Sequence, residues 1–371
     1  MKFAIITQVM HKTKGDKWYS YAPYVREMDL WLTKVNTTKI VAPSCNEEPS
    51  KVEIPYKTQN IELIKVPSFD IIRLVSFLKT IANLPFILIT IYKTMKWADH
   101  IHLRCPGNMG LLGCLVQVLF PSKPKTVKYA GNWDPDSKNQ PISYRFQKWL
   151  LSNTIITKNC KVLVYGEWKN QSKNVLPFFT ASYYENEIIP IKVKDFSEYI
   201  NFIYVGTFSK GKQPLLTAKV VENLVKKGYP ARLTMFGDGK EFLSVKEYIE
   251  SRNLTEVIFL KGNQSKEIVK SAYQTSHFLI FISKSEGWPK VVAESMFWSC
   301  LPLSTKVSCV PYMLDDGNRG AIVNNDIKEI SQTIEKYLNN FELYNSQVGK
   351  AKEWSQKYTL DKFEKEIVKL I

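Results

Sequence analysis

Two successive series of alternating strand-like and helix-like runs constrain this 371-residue chain more than any other feature. In the first, residues 3–7 and 38–42 predict strands, with a helix over 24–35 between them. A strand over 100–103 leads through a Pro-Gly loop to a helix over 110–119. Residues 126–129 predict a further strand, 143–151 a helix and 161–165 a closing strand. Residues 183–198 are irregular and form the expected linker. The second series has strands over 201–205, 232–236, 257–260 and 277–282, each followed by a helix, over 214–227, 243–252, 266–274 and 291–300. Alternation of this kind predicts parallel sheets covered by helices on both faces. Gly228 stands where a helix-ending glycine is expected. The length exceeds what one core accommodates, so two domains follow.

Composition narrows the class. With 44% hydrophobic and 23% charged residues the chain reads as folded throughout. The net charge of +16 points to an anionic partner. The six cysteines form no C-x-x-C pair and predict reduced, buried thiols rather than a zinc site. The apolar run at residues 1–7 is too short for a signal peptide and reads as a first core strand, so a cytoplasmic protein is expected. Residues 74–92 are membrane-like, but Lys79, Asn83 and Pro85 interrupt the roughly 20 apolar residues a spanning helix needs. They predict a buried or amphipathic helix, with a surface-docking helix as the alternative. Between residues 71 and 128 stand eight basic residues (Arg73, Lys79, Lys93, Lys96, Arg104, Lys123, Lys125 and Lys128) and one acid, Asp99. Cations beside apolar side chains are the composition of a face that meets an anionic membrane.

The chemistry concentrates in residues 285–294, Ser-Glu-Gly-Trp-Pro-Lys-Val-Val-Ala-Glu. Glu286 is expected on the loop at the carboxyl end of a strand. Pro289 suits a helix start, and Glu294 then lies on the second turn with Lys290 one turn before it. Two carboxylates and a helix N-terminus around one crevice is a ligand position in an open α/β sheet, and the free N–H groups there favour an anion. Upstream, residues 204–214 (Tyr-Val-Gly-Thr-Phe-Ser-Lys-Gly-Lys-Gln-Pro) form a strand, a Gly-containing loop and a helix start, whose amides and lysines can hold a diphosphate. In the first half Arg104 can grip an anionic acceptor bidentately, and Trp133 offers a flat apolar face to a sugar ring. Asn108 and Asn132 sit in the same strand-end loops. His102 and His277 are expected to be structural strand histidines.

Glu, seven residues, Glu, with Gly-Trp-Pro after the first, resembles the signature of the family-4, group 1 retaining glycosyltransferases with the GT-B fold. The resemblance implies two doubly wound Rossmann-like α/β domains facing across a cleft, an acceptor domain at 1–190 and a nucleotide-sugar domain at 198–353. It also implies that 354–371, an expected helix with Leu360, Phe363, Ile367 and Leu370 on one stripe, packs back on the first domain. By the same resemblance Glu286 approaches the donor sugar's hydroxyls, Glu294 binds the nucleotide ribose, and Gly287, Trp288 and Pro289 border the sugar and pyrophosphate. Lys212 falls at the lysine that holds the donor phosphates, counted from Gly206. Thr207 stands where the family has an arginine, and Lys210 is the candidate substitute. Gly237-Asp238-Gly239 resembles the segment beside the nucleotide, and Gly262 and Asn263 lie in the base-binding loop. The implied activity is retaining transfer of a sugar from a UDP- or GDP-type donor to a hydroxyl of a glycan acceptor, lipid-linked or part of a surface polysaccharide. Neither metal nor cofactor is expected, nor a nucleic-acid partner. The expected location is cytoplasmic, at the inner face of the plasma membrane.

Four rival readings follow from the same residues. Asp134-Pro135-Asp136 is the Asp-x-Asp pattern of metal-dependent transferases, but those lack a second phosphate-binding half. Two facing carboxylates would serve a glycosidase, yet Glu286 and Glu294 stand beside a phosphate loop. A basic protein that binds nucleic acid or membrane without catalysis would account for the charge, but no nucleic-acid motif is present. A dehydrogenase would place Gly-x-Gly-x-x-Gly after the first strand, where residues 8–15 hold one glycine.

Overall fold

The computed structural model describes residues 1–50, 52–67, 74–137, 140–190 and 194–371, with side chains of the helix Leu74–Trp97 described from residue 82. It divides into two units, Met1–Phe179 with Phe363–Ile371, and Thr180–Lys362. The division falls upstream of the irregular stretch at 183–198, within which residues 191–193 lie outside the described residues. Tyr183 explains why. Its ring is buried against Phe297 and Trp298, at 5.0 Å from each, which draws the start of the stretch onto the second unit.

Among the described residues the first unit holds β1 (Lys2–Ile6), β2 (His11–Lys14), β3 (Lys17–Tyr21), β4 (Thr37–Cys45), β5 (Glu53–Pro55), β6 (Ile61–Val66), β7 (His100–Cys105), β8 (Lys125–Tyr129), β9 (Cys160–Tyr165) and β10 (Val175–Phe178). Its parallel body runs β6–β4–β1–β7–β8–β9–β10. The chain winds outward from β1 through β4 to β6, then restarts at β7 on the other side of β1, a doubly wound arrangement. The hairpin β2–β3 with β5 hangs from the end of β4 and was not predicted. Ile6, Leu103, Val127 and Val162 bring four neighbouring strands into one core. Ile87, Ile91 and Met95, four residues apart on the helix Leu74–Trp97, pack onto it. Among the described residues no helix is long and apolar enough to cross a membrane.

The charge bias of this half is partly internal. Lys125 and Lys128 are buried, with Lys125 Nζ donating to the Phe120 carbonyl at 2.6 Å and Lys128 Nζ to that of Phe179 at 3.0 Å. Arg104 is paired with Glu27. Lys93 and Lys96 are exposed. Ile71 and Arg73 lie outside the described residues, as does the side chain of Lys79.

In the second unit β11 (Ile200–Val205), β12 (Ala231–Phe236), β13 (Ile258–Gly262), β14 (Phe278–Phe281), β15 (Leu301–Thr305) and β16 (Ala321–Val323) are all parallel, in the order β13–β12–β11–β14–β15–β16. The order reverses between β11 and β14. Phe202, Leu233, Ile280 and Leu303 form its centre. One expectation is corrected. Residues 354–371 are not a single helix, because Trp354 belongs to the helix Phe341–Ser355 and a turn separates it from Leu360–Val368. Thr359 Oγ1 accepts the Lys362 N–H at 3.2 Å and starts the new helix. Phe363 then rests on Phe178 and Phe179, at 5.3 and 5.7 Å, within the first unit.

Candidate active site

The two loops that flank the reversal of strand order in the second unit meet. One leaves β11 at Gly206 and runs to Gln213; the other leaves β14 and runs to Pro289. The Lys284 N–H donates to the Gly211 carbonyl at 2.9 Å, which ties the loops together. Across that tie Lys212 Nζ bonds Glu286 Oε1. Ser283 Oγ donates to the same carboxylate oxygen, and the Lys212 ammonium lies 4.8 Å from the Phe281 ring centre. The two residues with expected catalytic roles are therefore partners, held at the carboxyl ends of adjacent strands where open α/β sheets bind ligands.

Close backbone approach fixes the neighbouring loop. Gly206 N–H bonds the Phe236 carbonyl at 3.0 Å, Phe208 N–H the Asp238 carbonyl at 3.0 Å, and Gly237 N–H the Gly262 carbonyl at 2.9 Å. Gly237 has φ +126°, and a Cβ there would stand 1.9 Å from the Gly206 carbonyl oxygen. Only glycine fits. The Gly-Asp-Gly turn thus packs directly beside the expected phosphate loop, with Gly262 on its far side and Asn263 exposed. Thr207 and Lys210 are exposed on the β11 loop, and the Thr207 carbonyl accepts the Tyr204 hydroxyl at 3.0 Å.

The helix after β14 spans Lys290–Phe297, with Pro289 in the capping position one residue before it and Glu294 on its second turn. It ends earlier than predicted because Ser299 takes a positive φ of 59°. Glu294 accepts the Ser182 hydroxyl. Thr180, Ser182, Trp288, Lys290 and Glu294 line one small pocket. Trp288 is buried, stacked on Trp354 at 6.2 Å, so it supports the loop from behind. The Gly287 carbonyl accepts from Ser308 Oγ at 3.0 Å.

The expected acceptor residues of the first unit fare differently. Arg104 Nη1 bonds Glu27 Oε1 at 2.6 Å with the side chains 15% and 5% exposed, and its guanidinium lies 5.5 Å from the Tyr24 ring centre. Glu27 consumes the charge that was expected to grip an acceptor. Trp133 is 2% exposed, meets Tyr129 edge-on at 4.8 Å and donates Nε1–H to Gln171 at 2.9 Å, so it offers no open face. The exposed indole of that neighbourhood is Trp149, which lines a cavity of about 250 Å³ with Arg145, Lys148 and Gln171. Burial lowers the Lys148 ammonium to about 8, although Asp134 raises it. Asn132 Oδ1 accepts the Asp134 N–H at 2.9 Å and shapes the turn. Asp134 Oδ1 in turn accepts the Asp136 N–H at 2.9 Å. Asn108 opens the helix Asn108–Val116. Among the described residues no three His, Cys, Asp or Glu side chains are grouped to hold a metal ion.

Both histidines are buried and hydrogen-bonded. His102 Nδ1 pairs with Thr126 Oγ1 at 2.9 Å, and His277 lies between the Asn201 N–H and the Asp195 carbonyl. Ser283, Ser182, Trp149 and Lys148 were not anticipated. Ser182 stands 112 residues from Glu294, and no local pattern links such a pair.

Residues 185–354 match the protein family described as Glycosyl transferases group 1. Over 163 residues the chain is 28% identical to an uncharacterized glycosyltransferase of Methanocaldococcus jannaschii, which covers 43% of this chain and 44% of that protein. The match thus spans less than half of that relative. In structure the chain is similar to a sucrose-phosphate synthase of Thermosynechococcus elongatus, with TM-score 0.68 and 13% identity over 100% of this chain and 98% of the other. It is similar at the same TM-score and coverage, with 11% identity, to Anabaena HepE crystallised with UDP and glucose. At such identities the structural likeness bears on the fold. Residues 185–354, just under half of the chain, thus match glycosyl transferases group 1, and the α/β fold of the chain is that of the GT-B glycosyltransferases.

Proposed function

We propose that the protein transfers a sugar from a nucleotide diphosphate donor to a hydroxyl of a glycan acceptor, with retention of configuration. The observation that carries this is the Lys212–Glu286 pair at the strand-order reversal of the region that matches group 1. A donor diphosphate placed there competes with Glu286 for the Lys212 ammonium. The freed carboxylate then accepts hydrogen bonds from the donor sugar's hydroxyls. As the bond from the anomeric carbon to the diphosphate oxygen breaks, negative charge grows on the leaving group. Lys212, the loop amides and the start of the helix Lys290–Phe297 stabilise it. The acceptor oxygen bonds the anomeric carbon, and its proton passes to the departing diphosphate.

In this reading Glu294 holds the nucleotide ribose in place of the Ser182 hydroxyl, and Lys210 supplies the phosphate contact for which Thr207 is too short and uncharged. No metal or cofactor is required. The similarity to HepE, which was crystallised with UDP, favours a UDP-type over a GDP-type donor. The proposed acceptor is lipid-linked or part of a surface polysaccharide, met by a cytoplasmic protein at the inner face of the plasma membrane.

The test is release of nucleotide diphosphate from UDP-, GDP- and ADP-sugars, with and without acceptor. One donor class is expected to be turned over and to raise the melting temperature. Lys212→Ala is expected to lower kcat by about 10²–10³-fold. Glu294→Ala is expected to lose the donor-linked thermal shift. Absence of diphosphate release with every donor overturns the proposal.

A further inference from the structure

At the amino ends of β7, β8 and β9, opposite the first unit's own loops that follow β7 and β8, three segments of that unit come together. The end of the helix Leu74–Trp97 presents Tyr92, the turn Gln117–Leu119 presents Leu119, and the loop before β9 presents Ile155, exposed by 39%, 64% and 79%. Tyr92 and Phe120 lie 5.3 Å apart. Lys123 Nζ donates to the Met95 and Lys96 carbonyls at 2.9 and 2.7 Å. Gln117 Nε2 donates to Thr157 Oγ1, and Asn159 Nδ2 to the Ser122 carbonyl, each at 3.0 Å. These bonds tie the three segments together along one edge. Lys93, Lys96 and Lys158 are exposed along it.

Apolar side chains exposed together along one edge call for a cover, and charge selects which. Between residues 82 and 162 the sequence has eleven Lys or Arg, three Asp and no Glu. Asp134 and Asp136 follow the carboxyl end of β8, at the opposite end of the sheet, and Asp99 accepts the Lys2 N–H at 2.7 Å. A second copy related by a two-fold axis would set lysines against lysines. An anionic bilayer instead takes the apolar tips at the boundary of headgroups and acyl chains and neutralises the lysines around them.

We propose that this edge is the surface by which the protein docks on anionic lipid, with Tyr92, Leu119 and Ile155 inserted and Lys93, Lys96 and Lys158 against the headgroups. It rests on the membrane-surface part of the proposed function and is independent of the transfer chemistry. The test is co-sedimentation with vesicles of phosphatidylcholine and phosphatidylglycerol, against vesicles of phosphatidylcholine alone, without donor or acceptor. Wild type is expected to bind the mixed vesicles, less as salt rises, and to ignore the neutral ones. Each lysine near an anionic surface is worth about fivefold in affinity. The variant Lys93→Gln/Lys96→Gln/Lys158→Gln is therefore expected to bind about a hundredfold more weakly. Leu119→Asn/Ile155→Asn is expected to lose the binding that survives high salt. Both variants change exposed side chains and should keep the wild-type melting temperature. Wild type that ignores mixed vesicles overturns the membrane reading altogether. Wild-type binding with both variants unaffected overturns this edge as the surface. A dimer in solution that Leu119→Asn/Ile155→Asn dissociates assigns the edge to a second copy and also overturns it.

Discussion

Arg104 shows how far one side chain's role depends on its neighbour. In isolation a guanidinium at a strand end is a ready anion grip. Here Glu27 reaches it from the helix Ala22–Leu32, 77 residues away, and holds it at 2.6 Å. Burial opposes the charged guanidinium, and Glu27 with Tyr165 and Tyr24 more than offsets this, so that Arg104 holds its proton more tightly than usual. Removing one member of such a pair strands the other charge out of water. Glu27→Gln is expected to lower stability by about 3–5 kcal/mol, and Glu27→Leu with Arg104→Met to recover most of it, measured by urea denaturation. If Arg104 instead gripped the acceptor, the double variant would raise the acceptor KM without the stability cycle. Lys212 was legible because its spacing from Gly206 is local. Its partner Glu286 was legible by its own motif, but the bond between them was not.

At the scale of elements, the loops around the reversed strand order are held by backbone contact as well as by side chains. Gly237 and Gly228 both take positive φ, yet a Cβ at Gly228 meets nothing within 4 Å. Gly228→Ala is expected to cost about 1 kcal/mol from conformation alone. Gly237→Ala must also displace the Gly206 carbonyl and is expected to cost about 3 kcal/mol, with the β11 loop disturbed. Urea midpoints of the two variants decide this, and equal losses would remove the argument from close approach. Strand and helix periods in 201–300 were visible because each element carries its own apolar pattern. The hairpin β2–β3 was not, since Lys12, Thr13, Lys14, Lys17 and Tyr19 alternate too weakly to mark a buried face. The break at 356–359 was missed for a related reason: the apolar stripe Leu360, Phe363, Ile367 and Leu370 lies wholly beyond it, and no Gly or Pro in 354–371 marks the turn.

For the molecule as a whole, its histidines distribute acid sensitivity unevenly. His11, His100 and His102 lie in the first unit, where burial lowers them to about 4, 4 and 3, and His277 in the second is also lowered by burial. The unfolded chain takes up these protons near pH 6.5, while the folded chain does not until much lower pH. Their contribution to stability is therefore complete above pH 6.5 and is lost as pH falls toward 4. Each is expected to add up to about 1.4 kcal/mol per pH unit to the slope in that window. Hydrogen exchange is expected to show β7 and β8 losing protection before the second unit's sheet. His102→Asn is expected to flatten the slope, and an unchanged slope would show that His102 is not the source.

The sequence by itself determined the α/β class, the parallel sheets implied by alternating elements, the strand–loop–helix positions of the Gly206–Gln213 loop and of Glu286 and Glu294, and the placement of His102 on a strand. Each of these depends on periodicity or short spacing, which the chain carries locally. The tertiary structure alone decided which charges remain for solvent or ligand. Lys125 and Lys128 are buried under carbonyls, Arg104 is paired with Glu27, and Trp133 is closed off by Tyr129 and Gln171. It also placed Tyr92, Leu119 and Ile155 on one edge. The physical reason is common to all of these. Burial and pairing are set by residues far apart in the chain, and no local pattern encodes which distant group will occupy a side chain's face.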